Sequence, residues 1–122
     1  MNNLSLNDKL RIVQELVPGK QITLLHIIAN PDDVLYCKLG LDTSDNYNKG
    51  AIGVMTVSPS ETAIIAGDIA IKASGAEIGF VDRFSGTLIM TGSVSEVQES
   101  LMAVVNYAKE KLGFTVCEVT RT

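Results

Sequence analysis

The sequence contains no tryptophan, one histidine and two cysteines among its 122 residues. His26 has no second histidine with which to build a His-rich metal site, and Cys37 and Cys117 fall in no C-x-x-C or zinc-type spacing. We therefore interpret both cysteines as small buried hydrophobic residues and expect neither a metal nor a cofactor. A Cys–His nucleophilic pair stays open, because either thiol can approach His26 in space.

The sequence also lacks a basic cluster and a long apolar run. Ten Lys and Arg residues against fourteen Asp and Glu give a net charge of −4, and no basic stripe is present to neutralise the phosphates of a nucleic acid. No apolar run approaches the ~20 residues of a membrane span. The opening "MNNLSLNDKLR" has no basic-then-apolar order, so no targeting peptide and a cytosolic chain are expected.

Hydrophobic residues are abundant, at 46% of the chain. The length suits one domain, and a domain of this size leaves part of its apolar surface outside the core. Apolar surface on a small protein commonly makes subunit contacts, so the composition favours an oligomer.

The second half of the chain has the clearest pattern of elements. Residues 51–57 form an apolar run of strand length. A helix is expected next, with Ser58 as its cap, Pro59 in its first position and Glu61 completing a capping box. It runs to Lys72 and stops at Gly75. Its small residues predict close packing on two sides of the helix: Ala63, Ala66, Gly67 and Ala70.

A hairpin and a second helix follow. The apolar runs 78–81 and 87–91 predict two strands joined by a short loop. Ser93 or Ser95 then caps a helix that ends at Gly113, and a last strand covers 114–120. The apolar stripe of that helix comprises Val97, Leu101, Val104, Val105, Ala108 and Leu112. The resulting order, β-α-β-β-α-β, is that of the ferredoxin-like α+β unit.

The first half adds further elements. A short strand is predicted over 11–17 and a buried strand over 21–30, with a turn at Pro18-Gly19 between them. Pro31-Asp32-Asp33 opens a short helix that Gly40 ends, and residues 41–50 read as a polar linker.

Catalytic residues are hard to assemble from this sequence. His26 lies inside an apolar strand, where a histidine is more often a satisfied core or interface residue than a catalyst. Asp68, on the first long helix, is the acid expected to be partly buried, paired with backbone or a lysine. An enzyme that uses His26 with Asp68 or a cysteine is therefore the weakest hypothesis.

The run from Ala51 to Leu101 resembles the shell proteins of bacterial microcompartments, which share the BMC domain. The matching pieces are Ala51-Ile52-Gly53, Lys72, Gly79-Phe80, the loop 82–86 and Gly92-Ser93-Val94. The motifs "GKQ.TL.H.IA.P" and "IGF.DRFSG" are similar to those of the circularly permuted members, of the ethanolamine- and propanediol-utilisation types. The resemblance spans roughly residue 11 to the end.

The resemblance implies a structural role and no catalysis. It implies a permuted BMC domain over 21–122, preceded by an extension over 1–20, with either "QITLLHIIAN" or "FTVCEVT" taking the place of the ordinary domain's last strand. Cyclic homo-hexamers would tile with other shell proteins into the microcompartment shell, around encapsulated enzymes that are further candidate partners. The enclosed pathway would be ethanolamine, propanediol or choline utilisation.

The resemblance also assigns roles to individual residues. Lys72 falls at the hexamer edge. The loop around the central pore comprises Asp82, Arg83, Phe84, Ser85 and Gly86, and a ring of Phe84 would narrow that pore. A strand from each subunit would build a small β-barrel over the pore, from Arg11, Ile12, Val13, Gln14, Glu15, Leu16 and Val17. The alternative function is a small-molecule-binding regulatory domain, since fold alone does not decide function.

Overall fold

A computed structural model describes residues 19–41 and 50–122. Six strands and three helices lie in these two ranges. In chain order they are β1 (Gln21–Ile28), α1 (Asp33–Leu39), β2 (Ala51–Ser58), α2 (Thr62–Ala73), β3 (Glu77–Asp82), β4 (Thr87–Gly92), α3 (Val94–Lys111), β5 (Thr115–Val116) and β6 (Thr120–Arg121).

All six strands form one sheet in the order β3-β4-β2-β1-β5, with β6 also paired to β1. The four long strands pair antiparallel, whereas the two short C-terminal strands lie parallel to β1. The strand over 21–28 is therefore the direct neighbour of β2, and the C-terminal segment is added outside it. The sequence left open whether residues 21–30 or residues 114–120 take this position, and the structure places the first of them there.

The helices form layers on both faces of the sheet. The long helices α2 and α3 cover one face, and the main core lies beneath them. Buried Ser100 on α3 donates a hydrogen bond to the Ala70 carbonyl of α2 at 2.7 Å, which ties the two helices together. The short helix α1 covers part of the opposite face, where Tyr36, Leu41 and Ile52 form a second buried cluster.

Three helix termini agree with the sequence predictions. Ser93 accepts a hydrogen bond from the Glu96 backbone amide at 3.1 Å, and the Glu96 carboxylate accepts one from the Ser93 amide at 2.9 Å, which completes a capping box for α3. Asp32 caps α1, and Gly40 ends it in the left-handed conformation at φ 71°. The predicted hairpin is formed by β3 and β4. β3 is one residue longer than predicted at each end, and β4 is one residue longer at its C-terminal end.

The predicted start of α2 is wrong. β2 continues through Ser58, which pairs with Gln21 across the sheet, so Ser58 cannot cap the helix. Pro59 follows across a cis peptide bond, and the helix begins three residues later at Thr62. Glu61 occupies the cap position without a side-chain hydrogen bond; instead, the carbonyls of Pro59, Ser60 and Glu61 accept the first amides of the helix.

Two further expectations also need correction. The last strand divides into β5 and β6, and the gap lies opposite the part of β1 that contains the irregularity between Ile22 and Leu24. Among residues 19–41 and 50–122, α2 is buried on one side only, through Ala63, Ala66, Gly67 and Ala70. Its isoleucines Ile64, Ile65 and Ile71 are exposed. The predicted barrel strand (11–17) and most of the predicted linker (41–50) fall outside the described residues.

Candidate functional site

The loop 82–86 joins β3 to β4 as a tight, internally bonded turn. The Asp82 carboxylate accepts hydrogen bonds from the Phe84 amide at 2.9 Å and from the Ser85 hydroxyl at 2.8 Å. The Gly86 amide donates to the Asp82 carbonyl at 2.9 Å. An acidic residue that opens a turn and accepts the amide two residues on is a common way to fix a loop.

Gly86 attaches this loop to the body of the sheet. Its carbonyl accepts a hydrogen bond from the Val57 amide at 2.8 Å, and its φ of 74° lies in the left-handed region. A Cβ at this position would collide with the Val57 carbonyl. Glycine is therefore required by the backbone angle and by the close approach of β2.

The electrostatics of the loop centre on Asp82. The hydrogen bond from the Phe84 amide, followed by that from the Ser85 hydroxyl, lowers the pKa of the Asp82 carboxyl below its ordinary value of 3.8. The carboxylate is therefore ionised at neutral pH. Its hydrogen-bond partners, the Phe84 amide and the Ser85 hydroxyl, belong to the same turn, so the charge stabilises the shape of the loop.

The tip of the loop presents an aromatic ring to solvent. Phe84 is 80% exposed, more than any other large hydrophobic residue that the structure describes. The Arg83 guanidinium lies 5.0 Å from the centroid of the Phe84 ring, within range of a cation–π contact. The tip thus combines an exposed apolar group with a positive charge.

Lys72 lies in the last turn of α2, as predicted, and its ammonium group donates to the Asp68 carboxylate at 2.9 Å. The predicted partial burial of Asp68 is wrong, because its helical position faces away from the buried alanines and its side chain is exposed. The expected pairing with a lysine is present. Lys72 is itself exposed and is available to a neighbouring molecule.

His26 and Asp68, paired in the enzyme hypothesis, do not meet. Leu25 and Ile27 are buried in the core beneath the long helices, so His26, between them on β1, points to the opposite face of the sheet. Its two ring nitrogens contact the hydroxyls of Thr120 at 2.6 Å and Thr122 at 2.9 Å. Asp68 lies on a helix of the other face, and the sheet separates it from His26.

The cysteines divide between two environments. Cys37 on α1 is exposed, so its predicted burial is wrong: Tyr36, its neighbour in the helix, is the residue that turns inward. Cys117 is half-buried, and burial raises the pKa of its thiol. No cluster of three or more His, Cys, Asp or Glu side chains able to hold a metal occurs in the described ranges.

One surface feature was missed by the sequence analysis. The large apolar side chains that the structure leaves exposed on α2 and β3 include Ile64, Ile71, Ile78 and Val81. The sequence predicted close packing on two sides of α2 and did not predict exposed isoleucines. The small residues of the same helix are buried, as predicted, but on one side only, and the isoleucines beside them stay exposed.

The helices were also compared with the requirements of a membrane span. Within residues 19–41 and 50–122, none combines the length and the apolar character needed to cross a bilayer.

Comparison with known proteins identifies the family. The BMC domain model matches residues 51–120, which contain β2, both long helices, the hairpin and the loop 82–86. The chain belongs to the BMC domain family. The matched region begins at β2, so β1, which completes the central sheet, lies ahead of it in the sequence.

The relatives are similar over nearly the whole chain. The bacterial microcompartment shell protein EutS of Escherichia coli (strain K12) is 50% identical over 115 residues, which are 94% of this chain and 99% of that protein. The shell protein PduU of Salmonella typhimurium is also 50% identical, over 92% of this chain and 93% of that protein. The solved CutR flat hexamer matches with a TM-score of 0.80 and 47% identity, covering 89% of this chain and 96% of that one.

Proposed function

We propose that this BMC-family protein is a structural shell subunit of a bacterial microcompartment. Its cyclic hexamers tile with other shell proteins into the shell, and it has no catalytic activity. The observation that carries the proposal is the 50% identity to curated shell proteins over almost the entire length of both partners. The similarity to a subunit of a flat hexamer at a TM-score of 0.80 supports the oligomeric state.

The domain proposed here is a circularly permuted BMC domain over 21–122. The support is the sheet topology: β1 pairs antiparallel with β2, in the place that the β-α-β-β-α-β unit gives to its final strand. The true C-terminal segment pairs outside β1. Residues 1–20 form the extension in this proposal, and residues 11–17 supply one strand of a barrel over the hexamer axis, as the family resemblance implies.

The loop 82–86 is proposed to ring the central pore. Cyclic symmetry would repeat Arg83, Phe84 and Ser85 six times around the axis. The exposure of Phe84 and its contact with Arg83 support a narrow pore lined by phenyl side chains and guanidinium charges. The hydrogen bonds of Asp82 favour a rigid rather than a gating loop.

Partners and location follow from the same proposal. The hexamers lie in the shell of the microcompartment, which encloses enzymes of ethanolamine, propanediol or choline utilisation, and the inner face of the hexamer is available to those enzymes. The regulatory small-molecule domain is not proposed, because no observation on the described residues favours it over a shell subunit.

The deciding experiment measures assembly. Purified full-length protein should elute with a mass near six times the 13.1 kDa of one chain by light scattering. Electron microscopy at higher concentration should show sheets or tubes. A stable monomer or dimer at every concentration would contradict the proposal, and ligand-dependent changes in melting temperature across a metabolite panel would favour the regulatory domain instead.

A further inference from the structure

In the part of the chain that the structure describes, the cation at the tip of the loop 82–86 has no carboxylate partner. The Arg83 side chain is exposed, and no carboxylate of residues 19–41 and 50–122 forms an ion pair with its guanidinium. Both oxygens of the Asp82 carboxylate accept hydrogen bonds from the turn itself, one from the Phe84 amide and the other from the Ser85 hydroxyl. The N–H groups of Arg83 are therefore available to a ligand.

The Phe84 ring holds the guanidinium without neutralising it. The Arg83 Cζ lies over this ring, 5.0 Å from its centroid. A cation–π contact of this kind restrains the side chain and leaves its full charge in place. The guanidinium presents a planar fork of N–H donors, which matches two oxygens of a carboxylate or a phosphate. Arg83 is thus a restrained donor of the type that recognises oxyanions.

The acidic side chains of the segments that meet at this loop are both bonded elsewhere. Asp82 is bonded within the turn, as described above. Ser60 packs against Gly86, and its hydroxyl donates to the carboxylate of its neighbour Glu61 at 3.1 Å. The negative charge of Asp82 therefore lies at the base of the turn and the positive charge of Arg83 at its exposed tip, although the whole chain carries a net charge of −4.

A six-fold ring would multiply this arrangement on its axis. In the proposed hexamer every subunit places its loop at the same axis, so the guanidinium groups approach one another. Like charges that approach raise the free energy of the ring. A small oxyanion on the axis pairs with several guanidinium groups at once. Because separated subunits lack this shared site, the anion shifts the equilibrium towards the assembled ring.

We propose that the Arg83 side chains of the hexamer together bind a small multivalent oxyanion on the axis, and that this anion stabilises the ring. The proposal rests on the hexameric function and on the axial place of the loop 82–86 argued above. The exposed Phe84 rings would stand beside the guanidinium groups and displace water from them, which strengthens their pairing with the anion. Inorganic phosphate is the simplest ligand of this class.

The first measurement is the binding of inorganic phosphate to the full-length hexamer by isothermal titration calorimetry. The stoichiometry should be about one phosphate per six chains, because the site is shared around the axis. Arg83→Gln should raise the Kd at least ~10-fold. The matched control, Arg121→Gln on β6, makes the same substitution at an exposed position outside the loop and should leave the Kd unchanged. Circular dichroism confirms that both variants are folded.

The second measurement is the urea concentration at which light scattering shows half of the hexamer dissociated. Sodium phosphate should raise this midpoint relative to sodium chloride of equal ionic strength, in the unmodified protein and in Arg121→Gln. The rise should be lost in Arg83→Gln, whereas the general stabilising effect of phosphate on folded proteins would persist in all three. In chloride, Arg83→Gln should be at least as resistant as the unmodified protein, because the axial repulsion is removed.

Several outcomes would overturn the anion site. They are one phosphate bound per chain, a Kd that Arg83→Gln leaves unchanged, a phosphate effect on the hexamer that persists in that variant, and a loss of resistance to urea in chloride on removal of Arg83. An unmodified protein that never forms hexamers would instead remove the proposed function itself.

Discussion

At the scale of single residues, the polar side chains of this chain hold other parts of the fold in place. Asp82 holds its turn, His26 contacts two threonine hydroxyls and Lys72 pairs with Asp68. His26 and Asp68, two of the catalytic candidates in the sequence, are thus each bonded to other side chains of this chain. The sequence could suggest the identity of these groups, but not their partners, because Thr120 and Thr122 lie more than ninety positions from His26.

Protonation of Asp82 should lower the stability of the fold at acidic pH. The pKa of its carboxyl is lower in the folded chain than the ordinary 3.8, so the ionised form stabilises the fold. This contribution is complete above the ordinary pKa and is lost as the pH falls through the folded-state value. Melting temperatures measured from pH 7 to pH 2 should therefore show Asp82→Asn less stable than the unmodified protein at neutral pH.

The difference between the two proteins should shrink below pH 3.8. Ser95→Ala, on a surface turn of α3, is the control and should show no such pH-dependent difference. A gap between Asp82→Asn and the unmodified protein that stays constant down to pH 2 would contradict the role given to the Asp82 charge.

His26 should hold the C-terminal strand to β1. Its replacement by alanine removes both threonine contacts, at a net cost of about 1 kcal/mol for partly exposed hydrogen bonds. The amides of Ala29 and Thr122, which bond across the β1–β6 pair, should then exchange with deuterium about fivefold faster. Thr23→Ala on the same strand is the control, since its hydroxyl contacts Thr56 instead. Unchanged exchange in His26→Ala would show that backbone bonds alone hold the strand.

At the scale of elements, the sequence correctly predicts the features that are determined by residues close together in the chain. The stripe of α3, the capping box at Ser93 and the Gly40 terminus of α1 are all set by residues within a few positions of one another. The start of α2 was wrong because a tertiary contact decides it: pairing of Ser58 with Gln21 extends β2 past the local capping signal. The exposed isoleucines of α2 were missed for the same reason, since the exposed side of this helix depends on where α3 and β3 lie.

The contact between β2 and α3 requires a glycine. A Cβ on Gly53 would lie 2.6 Å from the Val97 Cγ1 and 2.8 Å from the Leu101 Cδ1, both in the core. Gly53→Ala should therefore overpack this layer and reduce the free energy of unfolding by about 1–3 kcal/mol. Urea unfolding followed by circular dichroism measures the change.

A second substitution tests the cause of that loss. Val97→Ala removes the nearest methyl group, so the double variant Gly53→Ala/Val97→Ala should be more stable than the sum of the two single losses. Strict additivity would show that the cost of Gly53→Ala has another origin.

At the scale of the whole molecule, one chain must supply several different surfaces. The proposed hexamer needs an axial loop and an outer edge, roles that we propose for the loop 82–86 and for Lys72. Both lie on the α2–β3–β4 unit, since the loop joins β3 to β4 and Lys72 stands in the last turn of α2. β1 and the C-terminal strands complete the other half of the sheet.

Lys72 should control the tiling of hexamers and leave their formation intact. In Lys72→Glu the ion pair with Asp68 becomes a like-charge pair, and the negative charge repeats at six edges of each proposed hexamer. Sheets seen by electron microscopy should then require at least ~10-fold more protein, because a contact that loses about 1.4 kcal/mol weakens tenfold. Light scattering should still give the hexamer mass.

Two controls separate the edge role of Lys72 from net charge and from the Asp68 contact. Lys111→Glu makes the same change of charge at the end of α3 and should leave the sheets unaffected. Asp68→Asn removes the intrachain partner and leaves Lys72 in place, so sheets should still form. Sheets that persist unchanged in Lys72→Glu would refute the edge assignment. Loss of the hexamer in that variant would instead place Lys72 in the contact between subunits of one hexamer.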